Sequence, residues 1–226
     1  MKGKFVLALL PAVLFYISSC QKHSGDVSLK NEHDSVSYII GYNIGTNIVS
    51  SPMTEPNIQA IAKGIEDAMA GKKLFTDQYS ANSYIGTYMQ KMESASREKN
   101  LMEGRAFLEK NKARKGVTTT ESGLQYEVLV EGNGPRPKET DTVTVHYKGT
   151  LIDGTEFESS VDGEPATFSL NQVIPAWTEA LKLMPVGSKW KIYVPTELAY
   201  GVNPRPGGKI KPNMALIFEI ELLAIK

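Results

Sequence analysis

Apolar residues in the first half of the chain recur at helical spacing. Val36, Ile39, Ile40, Ile44 and Ile48 follow i, i+3, i+4 steps behind Asp34 or Ser35, either of which suits a helix N-cap. Gly41 and Gly45 lie one turn apart on this helix, and a helix-interior glycine costs about 1 kcal/mol. The pair therefore points to close approach of another helix, to a kink, or to a loosely packed helix. A second stripe, Ile58, Ile61, Ile65, Ala68 and Met69, predicts a helix over Asn57 to Ala70, with Gly71 placed as a C-cap glycine. Thr76 to Lys112 reads as a third helix. Its first half carries Tyr84, Ile85, Tyr88, Met89 and Met92, and its amphipathic second half carries Leu101, Met102, Ala106, Phe107 and Leu108. Such a helix would run roughly 55 Å and outreach a compact domain. That length predicts a connecting stalk or an intermolecular arm, with the Met and Tyr stripe as core or dimer contact.

From Val117 the period changes to two. Leu124, Tyr126, Val128 and Val130 share one face, a turn follows at Gly132-Asn133-Gly134, and Val143, Val145 and Tyr147 resume the alternation. Asp153-Gly154 between Thr150-Leu151-Ile152 and Thr155-Glu156-Phe157 is a hairpin signal. Phe168 and Leu170 continue a strand, Trp190, Ile192 and Val194 form another, and Met214 to Ile225 the last. Only Ile174 to Met184 reads as helix, with Pro175 in its first turn. The prediction is an α+β domain of about five antiparallel strands wrapped on one short helix, preceded by an all-α N-terminal domain with a long connecting helix. Residues 31–116 are then a helical dimerisation domain and 117–226 the sheet domain.

Charge nominates no partner, because 25 basic and 25 acidic side chains balance and leave no pull toward nucleic acid. The N-terminus is more informative. Lys2 and Lys4 precede an apolar run, Phe5 to Tyr16, too short for a stable membrane span and laid out like a secretory signal. It ends in Ile17-Ser18-Ser19-Cys20, which resembles a bacterial lipobox. That resemblance implies cleavage before Cys20 and lipidation of it, against the plainer reading of a signal peptide with an incidental cysteine. Residues 1–19 are then signal and 20–30, polar and without period, a flexible tether. The expected location is the bacterial cell envelope, lipid-anchored, at the outer membrane facing the periplasm. Cys20 is the single cysteine, so no intramolecular disulfide forms, and His23, His33 and His146 lie too far apart in sequence to suggest a metal site.

The segments SGLQYEVLVEGNG, VTVHYKGTLIDGTEFESS, VIPAW, PVGSKWKIYVPTELAYG and ALIFEIELL resemble, in order and spacing, the FKBP-type peptidyl-prolyl isomerases. Phe107-Leu108-Glu109-Lys110-Asn111 before the SGLQY segment resembles the Mip/FkpA subgroup of bacterial lipoproteins. The resemblance implies an FKBP-like fold and cis/trans isomerisation of X-Pro bonds without metal or cofactor. Its expected partners are unfolded or proline-containing chains, a second copy in a homodimer, and macrolide inhibitors.

Carried over by position, the family's catalytic residues fall on Tyr147, Phe157, Glu158, Ile174, Trp177 and Tyr200, with Val173, Ile210 and Phe218 binding substrate. Trp177 would floor the pocket, with Tyr147, Phe157 and Phe218 as walls. The Ile174 backbone N–H and the Tyr200 hydroxyl would bond substrate carbonyls. Glu158 stands where the family usually has Asp, and its extra methylene is expected to displace the carboxylate from its usual tyrosine partner. Ala166 replaces an aromatic found in some members and opens one wall. The loop 202–212 brings Arg205, Lys209 and Lys211. Any one of these aromatics could simply be core; the ordered set is what points to a pocket. A non-catalytic holdase for unfolded segments is the alternative. A hydrolase lacks a G-x-S-x-G elbow, and His146 alternates in face with Tyr147.

Overall fold

A computed structural model describes residues 27–53, 55–73 and 77–226. Cys20, His23 and the signal segment lie outside the described residues. The chain divides into two compact units, 1–45 and 46–226.

Helix α1 (Glu32–Val49) begins where Asn31 Oδ1 accepts from the Asp34 backbone N–H, one turn earlier than the Asp34 or Ser35 cap. It has no buried residue, and a Cβ at Gly41 or Gly45 would meet nothing within 4 Å. Helix α2 (Ile58–Met69) is capped by Asn57, whose side chain accepts from the Ala60 N–H, and Gly71 follows at φ 70° in the left-handed region. Helix α3 (Gln78–Asn111) starts at Asp77, whose carboxylate takes the Ser80 N–H at 2.7 Å. Its 34 residues span about 51 Å.

Seven antiparallel strands follow: β1 (Val117–Thr119), β2 (Gln125–Val130), β3 (Thr142–Leu151), β4 (Glu156–Ser159), β5 (Ala166–Ser169), β6 (Lys189–Val194) and β7 (Leu216–Ile225). Their order is β1-β2-β6-β7-β3-β4, with β5 also on β3. Strand β4 is the second arm of the expected Asp153-Gly154 hairpin, and the short β1 is the addition to the expected strands. Helix α4 (Pro175–Leu183) buries Ala176, Trp177, Ala180 and Leu181 in one core with Val143, Val145, Ile192, Leu216, Ile220 and Leu222 of the sheet. An apolar helix face laid on one face of a twisted sheet is the arrangement its patterning demands. No helix among the described residues is long and apolar enough to cross a membrane.

Two local readings change. Strand β2 pairs with β1 and β6, not β3, so Gly132-Asn133-Gly134 is no hairpin turn. Its glycines instead nest on the 185–188 turn, where a Gly132 Cβ would come 2.5 Å from both Val186 O and Ser188 N. The face read from Leu124 to Val130 is also only half right: Leu124 is buried, but Val128 and Val130 are exposed. Beyond Glu127 the strand has lost β1 as a neighbour and becomes a sheet edge, with a bulge between Val128 and Val130.

The end of α3 is tied to this sheet by polar groups. Asn111 Nδ2 donates to Gln125 Oε1 at 2.8 Å, and Gln125 Nε2 to Leu108 O at 2.9 Å, both side chains being buried. Arg114 donates to Asn111 Oδ1 and to the Tyr193 hydroxyl, each at 2.8 Å, and lies over the Tyr193 ring. Phe107 packs against the same ring at 6.0 Å between centroids, tilted by 50°.

Candidate active site

Trp177 sits in the first turn of α4 because Pro175 opens that helix at its first position, with Ile174 as the extended residue before it. The Trp177 N–H closes back on Ile174 O at 2.9 Å. Three rings meet the indole edge-on: Tyr147 at 5.1 Å, Phe168 at 5.4 Å and Phe218 at 5.5 Å, with interplanar angles of 81°, 86° and 85°. Edge-to-face packing suits the ring quadrupoles and leaves no room for water between them. Strand alternation supplies two of the rings, since Tyr147 on β3 and Phe218 on β7 both point to the α4 face. Tyr147 is pinned further by Ser160, whose N–H reaches Tyr147 O at 2.9 Å while its Oγ accepts from the Tyr147 N–H at 3.0 Å.

Above this floor lies a cavity of about 350 Å3, bounded by Tyr147, Glu158, Phe168, Val173, Ile174, Trp177, Tyr200 and Phe218, with Gln172 and Arg205 at its margin. Larger shallow grooves run beside Thr178 and Glu179 (about 830 Å3) and between Phe107 and Met214 (about 500 Å3). Neither gathers more than one aromatic ring, so neither offers a dry apolar floor.

Seven of the nine predicted pocket positions meet here. Phe157 stands one layer back, its ring edge-on to Phe218 at 5.6 Å, and supports that wall from behind. Gly149 makes this possible, because a Cβ there would come 2.5 Å from the Phe157 ring and 3.1 Å from that of Phe218. Ile210 packs against the core and lines an adjoining groove. Phe168 is the residue that sequence reasoning missed. It shares a strand face with Ala166 two positions earlier, so the strand period carries Phe168 to the same wall at which the resemblance placed the alanine. Its ring supplies an aromatic wall beside the alanine. Arg205 was seen on its loop but not as a neighbour of Tyr200. His146 bonds Ser160 O through Nδ1 at 3.1 Å and faces away from the cavity.

Glu158 keeps its tyrosine. Its carboxylate accepts the Tyr147 hydroxyl hydrogen bond, so the extra methylene does not carry it out of reach. Burial first, then that bond and the charge of Glu158, push the Tyr147 phenol up to about 12 from 10.0. Tyr200 is also raised, by burial and then by Glu158, against the opposing charge of Arg205. Because the fold favours the neutral Tyr147 phenol, its contribution to stability is complete below pH 10.0 and is lost as pH rises through about 12. Unfolding free energy measured across that window should fall more steeply for the native chain than for Tyr147→Phe.

Two donors face the cavity uncommitted. Among the described residues no acceptor takes the Ile174 backbone N–H, and the Tyr200 hydroxyl has no hydrogen-bond partner. The Trp177 Nε1 is buried and also unpartnered among the described residues. No group of three metal-ligating side chains occurs among the described residues.

A family model for FKBP-type peptidyl-prolyl cis-trans isomerase matches residues 134–223, and a model for the domain amino-terminal to it matches 33–128. An outer membrane protein MIP of Legionella longbeachae is 42% identical over 236 residues, spanning 100% of this chain and 99% of its own. The chain belongs to the FKBP-type peptidyl-prolyl cis-trans isomerases. The FKBP-type 22 kDa isomerase of Escherichia coli is 44% identical over 193 residues, covering 84% of this chain and 93% of that protein. The crystal structure of Escherichia coli FkpA superposes with a TM-score of 0.68 at 37% identity, over 88% of this chain and 99% of that one. This FKBP-type chain is accordingly an enzyme that interconverts cis and trans X-Pro bonds, and its helices precede the isomerase sheet as in that subgroup.

Proposed function

We propose that the cavity over Trp177 is the isomerase site and that it acts on proline-containing segments of unfolded chains in the bacterial envelope. The observation that carries this reading is the three-ring collar on a buried indole with two uncommitted donors at its rim. Rotation about an X-Pro bond must break amide resonance, a barrier of about 18–20 kcal/mol, and uncatalysed exchange takes tens to hundreds of seconds. No bond is made or cut, so neither nucleophile nor metal is needed. The proline ring sits on Trp177 between Tyr147, Phe168 and Phe218. Loss of water destabilises the dipolar planar amide relative to its twisted form. The Ile174 N–H and Tyr200 hydroxyl hold the carbonyls on either side, bonding the twisted state more strongly than the planar one. Glu158 fixes the Tyr147 phenol. Macrolide inhibitors of the family occupy the same floor.

The exposed apolar face of α1, with Ile39, Ile40 and Tyr42 each more than half exposed, supports a homodimerisation role for the helical region 31–116. A dimer presents two isomerase sites to one client, an avidity gain that gives the enzyme chaperone character. Lipidation at Cys20 and placement at the outer membrane follow from the lipobox, in keeping with the name of the Legionella relative. In solution a Cys20→Ser chain should run at twice the chain mass of 24.8 kDa, and a monomer would remove the dimer from this reading.

Catalysis and mere holding separate in one assay. Refolding of a substrate limited by proline isomerisation should speed up with catalytic amounts of enzyme. Slower refolding, proportional to enzyme added, would mark a holdase instead.

A further inference from the structure

The pocket takes two of its aromatic side chains, Tyr200 and Phe218, from beyond β6, and the segment between them touches α3. Arg97, Asn100 and Gly104 are spaced three and four apart and so share one helix face. Asn100 Nδ2 donates to Pro212 O at 2.9 Å. Asn213 Nδ2 donates to Arg97 O at 3.2 Å. Gly104 lets the helix approach so closely that a Cβ there would sit 3.0 Å from Ala215 Cβ. The next residue, Arg105, reaches Glu197 at 3.6 Å, near the other end of the same segment, though this exposed pair contributes little.

Asn213 links these contacts to the site. It is the one non-glycine residue with positive φ among those described, at 62°, a conformation that asparagine tolerates better than most. In that conformation its backbone N–H donates to Gly201 O at 2.8 Å while its side chain holds the α3 carbonyl. Gly201 follows Tyr200 directly and is itself closed onto Thr196 O at 3.0 Å. On the far side of Asn213, Ala215 and Leu216 are buried and lead within three residues to Phe218. The helix face thus grips the turn from which the Tyr200 wall and the Phe218 wall both hang.

We propose that Asn213 is a positioning residue for the isomerase reaction, holding the Tyr200 hydroxyl at its working distance by clamping residues 196–213 to Arg97 and Asn100 of α3. The inference rests on the assignment of Tyr200 to the site. It makes the long helix a support of the pocket as well as a spacer. Asn213→Gly keeps the positive φ and the bond to Gly201 but cuts the link to Arg97, and Asn100→Ala cuts the neighbouring link from the helix side.

The test is a double-mutant cycle in the full chain, reading kcat/KM on an X-Pro peptide. Asn213→Gly should lower it roughly five- to tenfold, mostly through kcat, and should add nothing further in a Tyr200→Phe background. An equal loss in both backgrounds, or none in either, overturns the proposal. Amide hydrogen exchange over residues 196–213 gives a readout independent of turnover: Asn100→Ala should accelerate it, and unaltered exchange overturns the clamp. Should Tyr200→Phe alone leave turnover intact, the site assignment has failed, and the exchange result still decides whether α3 holds the loop.

Discussion

Trp177→Ala is expected to abolish measurable X-Pro turnover and to lower the unfolding free energy by about 3–5 kcal/mol. The indole is 4% exposed and bears three edge-on rings, each such pair being worth about 0.5–1.5 kcal/mol beyond the area it buries. Removing it opens a cavity among rings that β3, β5 and β7 hold apart, so the site cannot collapse to fill it. Against a total of about 5–15 kcal/mol for a domain, the loss is large. Urea denaturation followed by turnover measured well below the variant's midpoint separates the two effects. Trp177→Phe, which keeps a ring on the floor, should recover much of the stability and only part of the activity. An alanine variant with native stability and native turnover would remove Trp177 from both core and site.

Tyr200→Phe is expected to lower kcat/KM about tenfold, the worth of one hydrogen bond of roughly 1.4 kcal/mol made in the transition state, while stability moves by less than about 0.5 kcal/mol. The ring is 41% exposed and its hydroxyl bonds no described residue, so its removal leaves no buried group unpaired. If the bond strengthens as the amide twists, the loss appears in kcat with KM nearly unchanged. A rise in KM alone would mean that Tyr200 binds planar and twisted forms equally. Unchanged turnover would exclude the hydroxyl from the chemistry.

Much of this was legible in the residues because the signals were local. Gly71 after α2, the Asp153-Gly154 turn and Pro175 before Trp177 act within a few residues, and each marks the element end where it stands. Five ordered motifs placed the aromatic set, and period two on β3 and β7 turned Tyr147 and Phe218 to one face. The misread places share a different origin. Val128 and Val130 follow the strand period yet face solvent, because burial depends on whether a neighbour strand continues. Gly132 and Gly134 have turn composition, but they are needed for a close approach to residues 185–188, more than fifty positions away.

The amino-acid sequence by itself determined most of the helices and strands, the α+β class and seven of the residues that meet at the cavity, since periodicity and motif order are read along the chain. Only the tertiary structure decided that β2 lies beside β6, that Phe157 backs Phe218 while Phe168 faces the cavity, and that Glu158 still reaches Tyr147. It alone also brought α3 onto the Tyr200 loop through Asn213. These are contacts between residues far apart in the chain, fixed by register and packing geometry that no local pattern encodes.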